Sequence, residues 1–198
     1  MLSKNVLCAF VGISALTLSP ESLAQFDFVL GAGYDFGGDT ISTAYYTNGD
    51  STKVKSGSGL LAFAGADFYL QNDFKVRGTI GYKSSSASAT NGEISFSRIP
   101  VDLLILKHYG QHQFGVGATY HTGVEFECEV HGTNLPCNDS YDFKNSLGFI
   151  AHYEHLMPAG NNNAYVFGLR YTKIEYEGKG FDFSYDGSSF GVNIGYIF

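Results

Sequence analysis

Phe190-Gly191-Val192-Asn193-Ile194-Gly195-Tyr196-Ile197-Phe198 closes the sequence. Large apolar side chains fall at every second position, Phe190, Val192, Ile194, Tyr196 and Phe198, with Gly, Asn and Gly between them up to Ile197. Side chains alternate across a strand, so this stretch presents one apolar face and one small or polar face, and it runs to the terminal carboxylate. In a water-soluble sheet such a last strand is an exposed, sticky edge. In a closed membrane barrel the first strand pairs that edge and lipid takes the aromatic face. The ending predicts a location and an architecture. It says nothing about activity.

The other end agrees with that reading. Lys4 gives a thin positive region, Val6 to Leu18 is mostly apolar, and Pro20 breaks the run. Ser22 and Ala24 put small residues where a signal peptidase reads, so cleavage is expected before Gln25. The apolar run is too short to cross about 30 Å of hydrocarbon. Cys8 follows Leu7 inside this run, which does not fit a lipoprotein cleavage box. The expected organisation is a signal peptide at 1–24 and one barrel domain at 25–198.

Composition suits the assignment. The chain has 25 Gly, 17 Phe and 14 Tyr but only 4 Pro and no Trp. Glycine makes room on a crowded inner face, and Phe and Tyr form interfacial girdles. The formal charge of −7 survives removal of the signal, because Lys4 and Glu21 leave together. An acidic chain without Lys/Arg clusters argues against a nucleic-acid partner. The longest later apolar run, Ile99 to Leu106, is interrupted by Asp102. The chain therefore spans as strands or not at all.

Alternation and turn signals give eight candidate strands, near 26–36, 58–70, 74–84, 94–107, 112–123, 143–156, 164–177 and from Phe181 or Phe183 to the end. The second is ambiguous. Placing Leu61, Phe63 and Tyr69 toward lipid would carry Asp67 into hydrocarbon, so Leu60, Ala62, Ala64, Ala66 and Phe68 are assigned the lipid face. Connections 71–73, 108–111 and 157–163 are short, whereas 37–57, 85–93 and 124–142 are long. This alternation places short turns at the periplasm, loops outside and both termini in the periplasm. Ten strands is the alternative, should 37–57 hide a further hairpin at Ile41 to Tyr46. A soluble eight-stranded barrel is disfavoured by the signal peptide, the terminal Phe and the aromatic strand ends.

The terminal alternation ending in Phe198 resembles the insertion signal of bacterial outer-membrane barrels. The mature region is similar in architecture to the small outer-membrane β-barrel superfamily, the OmpA/OmpX/OmpW-like group. Arg98 to Leu104 followed by Phe114 to His121 is similar to a hairpin common in porin-family proteins. The resemblance implies an all-β, transmembrane, antiparallel up-and-down barrel surrounded by outer-membrane lipid and lipopolysaccharide. It also implies delivery by the barrel-assembly machinery. Members include adhesins, stress-resistance proteins, narrow conduits and a few lipid-modifying enzymes, so the resemblance does not choose a role.

Three constellations of residues carry potential chemistry. Cys128 and Cys137 bracket a long loop and meet an oxidising compartment after export, which predicts a disulfide. Asp67 falls opposite Arg77 in the register set by the short turn, with Asp27 and Asp102 on flanking strands and Lys75 and Glu154 nearby. These six residues are expected to form one lumenal charge network near the periplasmic end, filling the barrel rather than lining a pore. Of the six His, none is followed by Ser two places on, the pattern that outer-membrane lipid A deacylases use. His121 and His152 are placed toward opposite ends of their strands. No metal, cofactor or catalytic set is assigned. The expected function is a non-enzymatic barrel with a filled lumen, supporting the envelope or contacting an extracellular ligand or host surface through its loops. A narrow OmpW-like conduit for small apolar molecules is the second reading, and a lipid-modifying enzyme the third.

Overall fold

In this computed structural model the structure describes residues 26–46, 49–89, 92–131, 137–161, 163–180 and 182–198, and every element among them is a strand. The signal peptide read at 1–24 lies outside the described residues. Eight strands form the wall: β1 (Phe26–Gly37), β4 (Gly59–Tyr69), β5 (Phe74–Ala89), β6 (Gly92–Tyr109), β7 (His112–Val130), β9 (Ser146–Gly160), β10 (Asn163–Lys173) and β13 (Ser189–Ile197). Each pairs antiparallel with the next around the ring. The terminal strand β13 pairs β10 on one side and β1 on the other, closing the barrel. Leu30 faces Tyr196 and Tyr34 faces Val192, so the first strand covers the last strand's edge.

The remaining strands sit at the long-loop end. The hairpin of β2 (Thr40–Tyr45) and β3 (Ser51–Lys55) occupies the first connection. The ten-strand alternative anticipated a hairpin here, but this one forms its own two-stranded sheet and the barrel stays at eight. β8 (Cys137–Asp142) pairs with the outer part of β7, and β11 (Glu175–Glu177) pairs with β12 (Ser184–Asp186). Two of the expected long loops are corrected. Segments 85–93 and 124–142 are largely strand, because β5, β6 and β7 run on in register from Ser84↔Ser97 to Ala89↔Gly92 and from Ser97↔Glu125 to Gly92↔Val130.

Along these strands the polarity of the two faces reverses. On β6, Ile99, Val101, Leu103 and Ile105 face outward, while Glu93, Ser95 and Ser97 take the same side higher up. The inner side changes in the opposite sense, from Asp102 and Arg98 to Phe96 and Ile94. The same change falls between Tyr82 and Ser84 on β5 and between Tyr171 and Lys173 on β10. On β7 it coincides with an irregularity opposite Arg98, where Gly123 takes a φ of 56° and shifts the parity of the strand. Below the change the wall is inside-out, apolar toward lipid and polar within. Above it, the extension is an ordinary water-facing protein with an apolar core of Val54, Phe96, Val124, Phe126, Phe143, Ile174 and Tyr176.

The lipid-facing belt on β1 runs from Phe26 to Phe36. At about 3.3 Å per residue and a tilt near 40°, that gives about 25 Å of height, the apolar band of a membrane barrel. At the opposite rim to the extension, Asn72 and Asp73 both adopt left-handed φ, near 60°, which lets the chain reverse tightly between β4 and β5.

Candidate functional site

Three tiers of hydrogen-bonded side chains project into the lumen. The lowest is built around Arg77. Asp67 lies directly opposite it across the β4–β5 hairpin, and the guanidinium grips that carboxylate through two bonds, Nε to Oδ1 at 2.6 Å and Nη2 to Oδ2 at 2.9 Å. Its remaining Nη1 donates to Glu154, which stands on β9 across the bore. Lys75 Nζ donates to the Asp67 carboxylate at 2.5 Å, and His152 Nε2 lies 2.9 Å from Glu154. Asp67, Arg77, Lys75 and Glu154 are each no more than 2% exposed. Charges so far from water persist only when paired and hydrogen-bonded, and here two cations meet two carboxylates.

Asp102 and Asp27 do not join that group, which corrects the single network expected from the sequence. Asp102 pairs with Thr79 in the β5–β6 register, two residues above Arg77 on the same inner face. From there it accepts from Arg170 Nη1 at 2.7 Å across the lumen, from Thr119 Oγ1 at 2.5 Å and from Thr79 Oγ1 at 3.3 Å. Asp27 lies one step from the end of β1, where the Tyr69 hydroxyl donates to it at 2.6 Å. The sequence reading missed Arg170 as a partner. Its inward parity was legible, but β6 and β10 are separated by β7 and β9 in the ring, and hairpin register carries no information about who meets across the bore.

The third tier lies where the face polarity reverses. Lys83 on β5 donates to Asp35 on β1, and Arg98 Nη2 donates to the Ser58 carbonyl at 2.7 Å. Arg98 also stacks over the Phe96 ring at 4.8 Å, and His121 Nδ1 meets the Tyr176 hydroxyl at 2.6 Å. Phe96 packs edge-on against Phe143 and Tyr176, with ring centres at 5.4 and 5.5 Å, and these rings roof the bore. The Cys128–Cys137 disulfide is formed, with Cα atoms 5.7 Å apart, and Cys128 is buried in this apolar core.

Charge is divided sharply between the two parts. Segments 38–58, 84–97, 122–145 and 172–188, whose described residues lie above the change in polarity, carry twelve carboxylates against five lysines. The rest of the chain carries seven acids and seven bases, so the net −7 belongs wholly to these four segments. Glu93, Glu127 and Glu129 are exposed there on neighbouring strands, with Glu93 directly opposite Glu129. Lys144 donates to Glu177 at 2.8 Å, and that hydrogen bond holds the Glu177 carboxyl below its usual range. Among the described residues no group of three or more His, Cys, Asp or Glu stands ready to hold a metal ion.

Phe190, Val192, Ile194, Tyr196 and Phe198, the residues read from the sequence as an insertion signal, form one outward row along β13 and its end. Phe190, Val192, Ile194 and Phe198 are about half exposed, and Tyr196 packs at a tilt against Tyr165 and edge-on against Phe198 at the short-turn rim.

Among solved structures the chain is similar to Neisserial surface protein A (TM-score 0.51, 14% identity, 87% of this chain and 95% of that one). The fold is that of the small outer-membrane β-barrels. Two others are equally similar to this barrel. The Ail attachment invasion locus protein of Yersinia pestis, solved with the heparin analogue sucrose octasulfate, gives 0.51 at 12% identity over 87% of this chain and 97% of that one. The outer membrane protein OprG of Pseudomonas aeruginosa gives 0.51 at 13% identity, covering 88% and 95%. At such identities the likeness concerns the fold alone. No protein-family model matches the chain, and no curated protein matches it.

Proposed function

We propose that this chain is a non-enzymatic bacterial outer-membrane barrel that does not conduct, and that it holds an acidic β-extension at the cell surface for contacts there. The observation that carries the reading is the wall-to-wall bridging of the bore, Arg77 to Glu154 and Arg170 to Asp102, beneath the roof of Phe96, Phe143 and Tyr176. Eight strands leave room for side chains rather than water, and these side chains use it. Both termini are assigned to the periplasm, because β1 begins and β13 ends at the rim where the connections are short, from β4 to β5, β6 to β7 and β9 to β10. The row from Phe190 to Phe198 is the surface offered to the assembly machinery, and the aromatic belt meets membrane lipid and lipopolysaccharide.

The surface chemistry of the extension narrows its partner. Ail was solved with a polyanion, whereas here the outer segments carry twelve acids against five lysines. Like charge repels a sulfated glycan at such a surface, so the reading favours a cationic partner or one bridged by cations. Single-channel recording on refolded protein in planar bilayers tests the closed lumen. A flat baseline is expected at all holding potentials that the bilayer tolerates. Steady unitary steps that depend on protein concentration would overturn the reading.

A further inference from the structure

At the short-turn rim, His112 opens β7 and His155 stands directly opposite it on β9. Neither is part of the lumenal tiers. Both follow the outward parity of Phe114 and Tyr153, and their ring centres are 5.0 Å apart. We propose that this cross-strand pair is a two-imidazole chelate for a borderline divalent metal ion of the Cu²⁺, Ni²⁺ or Zn²⁺ class.

Geometry supports it. A metal–imidazole bond of about 2.0 Å puts the ion about 3.2 Å from each ring centre. Two such rings lie about 4.5 Å apart at a right angle about the ion and about 5.2 Å apart at a tetrahedral angle. The observed 5.0 Å falls between these values. Directly paired antiparallel residues also have their Cβ atoms held close by the backbone, so little order must be created on binding.

A second observation concerns the nitrogen that does not bind metal. His112 Nδ1 lies 2.8 Å from the Tyr153 hydroxyl. A ligating histidine ordinarily gives its other N–H to a fixed acceptor, which sets both tautomer and ring orientation. With the Tyr153 oxygen accepting from Nδ1–H, Nε2 of His112 keeps its lone pair for the ion. Tyr153 is itself held in place by the Phe114 ring at 5.1 Å. The remaining coordination positions fall to water, consistent with the open rim. Neutral imidazoles without thiolate or carboxylate suit Cu²⁺, Ni²⁺ and Zn²⁺ and pass over Mg²⁺ and Ca²⁺, which require oxygen.

The test uses tag-free mature protein refolded in detergent and titrated with Cu²⁺, with electron paramagnetic resonance as the readout. One bound ion per barrel is expected, its spectrum split by two imidazole nitrogens. His112→Asn or His155→Asn should abolish the two-nitrogen pattern. Tyr153→Phe should keep the pattern and weaken binding by roughly tenfold or more. His108→Asn, at the same rim but bonded to Gln113, should change neither. Absence of the pattern in the unaltered protein, or its persistence in the His112→Asn/His155→Asn double variant, overturns the proposal. Should a variant fail to fold, diethyl pyrocarbonate labelling of the unaltered barrel decides the matter. Zn²⁺ should protect both His112 and His155 from modification, and equal labelling with and without the ion refutes the site.

Discussion

Replacing Arg77 with alanine removes three hydrogen bonds and one positive charge from a tier of two acids and two bases that water does not reach. Asp67 then keeps only Lys75, and Glu154 keeps His152. The tier is left with two carboxylates against one lysine. Breaking a buried pair from one side costs about 3–5 kcal/mol, because the orphaned charge stays buried. Since each acid retains one partner here, the low end, about 3 kcal/mol, is the expected loss. Removing Asp67 as well restores the balance, with Glu154 facing Lys75 and His152. The remaining cost is lost packing, and Arg77→Ala/Asp67→Ala should therefore be the milder variant, at about 1–2 kcal/mol. Urea titration in phospholipid vesicles, followed by the electrophoretic shift between folded and unfolded barrel, measures all three proteins. The reasoning is refuted if Arg77→Ala unfolds within about 0.5 kcal/mol of the parent, which would mean that water reaches the acids. It is equally refuted if the double variant loses as much as the single.

Deleting Phe198 should lower the amount of heat-modifiable barrel in the outer membrane of cells, because the outward row on β13 loses its terminal ring. Unchanged levels on immunoblots would remove Phe198 from the insertion signal. Thiol labelling of denatured, non-reduced mature protein should find Cys128 and Cys137 both blocked. Replacing both with serine should lower stability by about 2–3 kcal/mol on a chain-entropy argument.

Much of the barrel was legible because hydrocarbon enforces a strict period of two. Leu60 and Leu61 are adjacent leucines, yet Asp67 alone decided between them, and the structure has Leu60 outward and Leu61 buried. The Asp67–Arg77 pair was legible for a related reason, since a short turn fixes hairpin register. What could not be read was contact between strands that are not neighbours, such as Arg170 with Asp102, which depends on barrel closure rather than on local pairing. The extensions were hidden by their inverted code. Ile94-Ser95-Phe96 and Val124-Glu125-Phe126 alternate as cleanly as any membrane strand. Their greasy side turns inward, so a rule that places grease outside reads the flanking residues as loop.

That inversion also works as a depth gauge. The row Ser84, Ser97, Thr122 and Lys173 sits directly above Tyr82, Ile99, Tyr120 and Tyr171 on the outer surface. Sinking the barrel by one step, two residues or about 5 Å along the membrane normal, would drag that polar row into hydrocarbon on several strands together. Rising by one step would lift the upper aromatic ring into water and draw the short turns toward the lipid. Each strand alone contributes a fraction to about 1 kcal/mol near the interface, but the wall moves as a unit and the costs add. The barrel therefore has one resting height, and the acidic ribbons stand at a fixed elevation above the hydrocarbon.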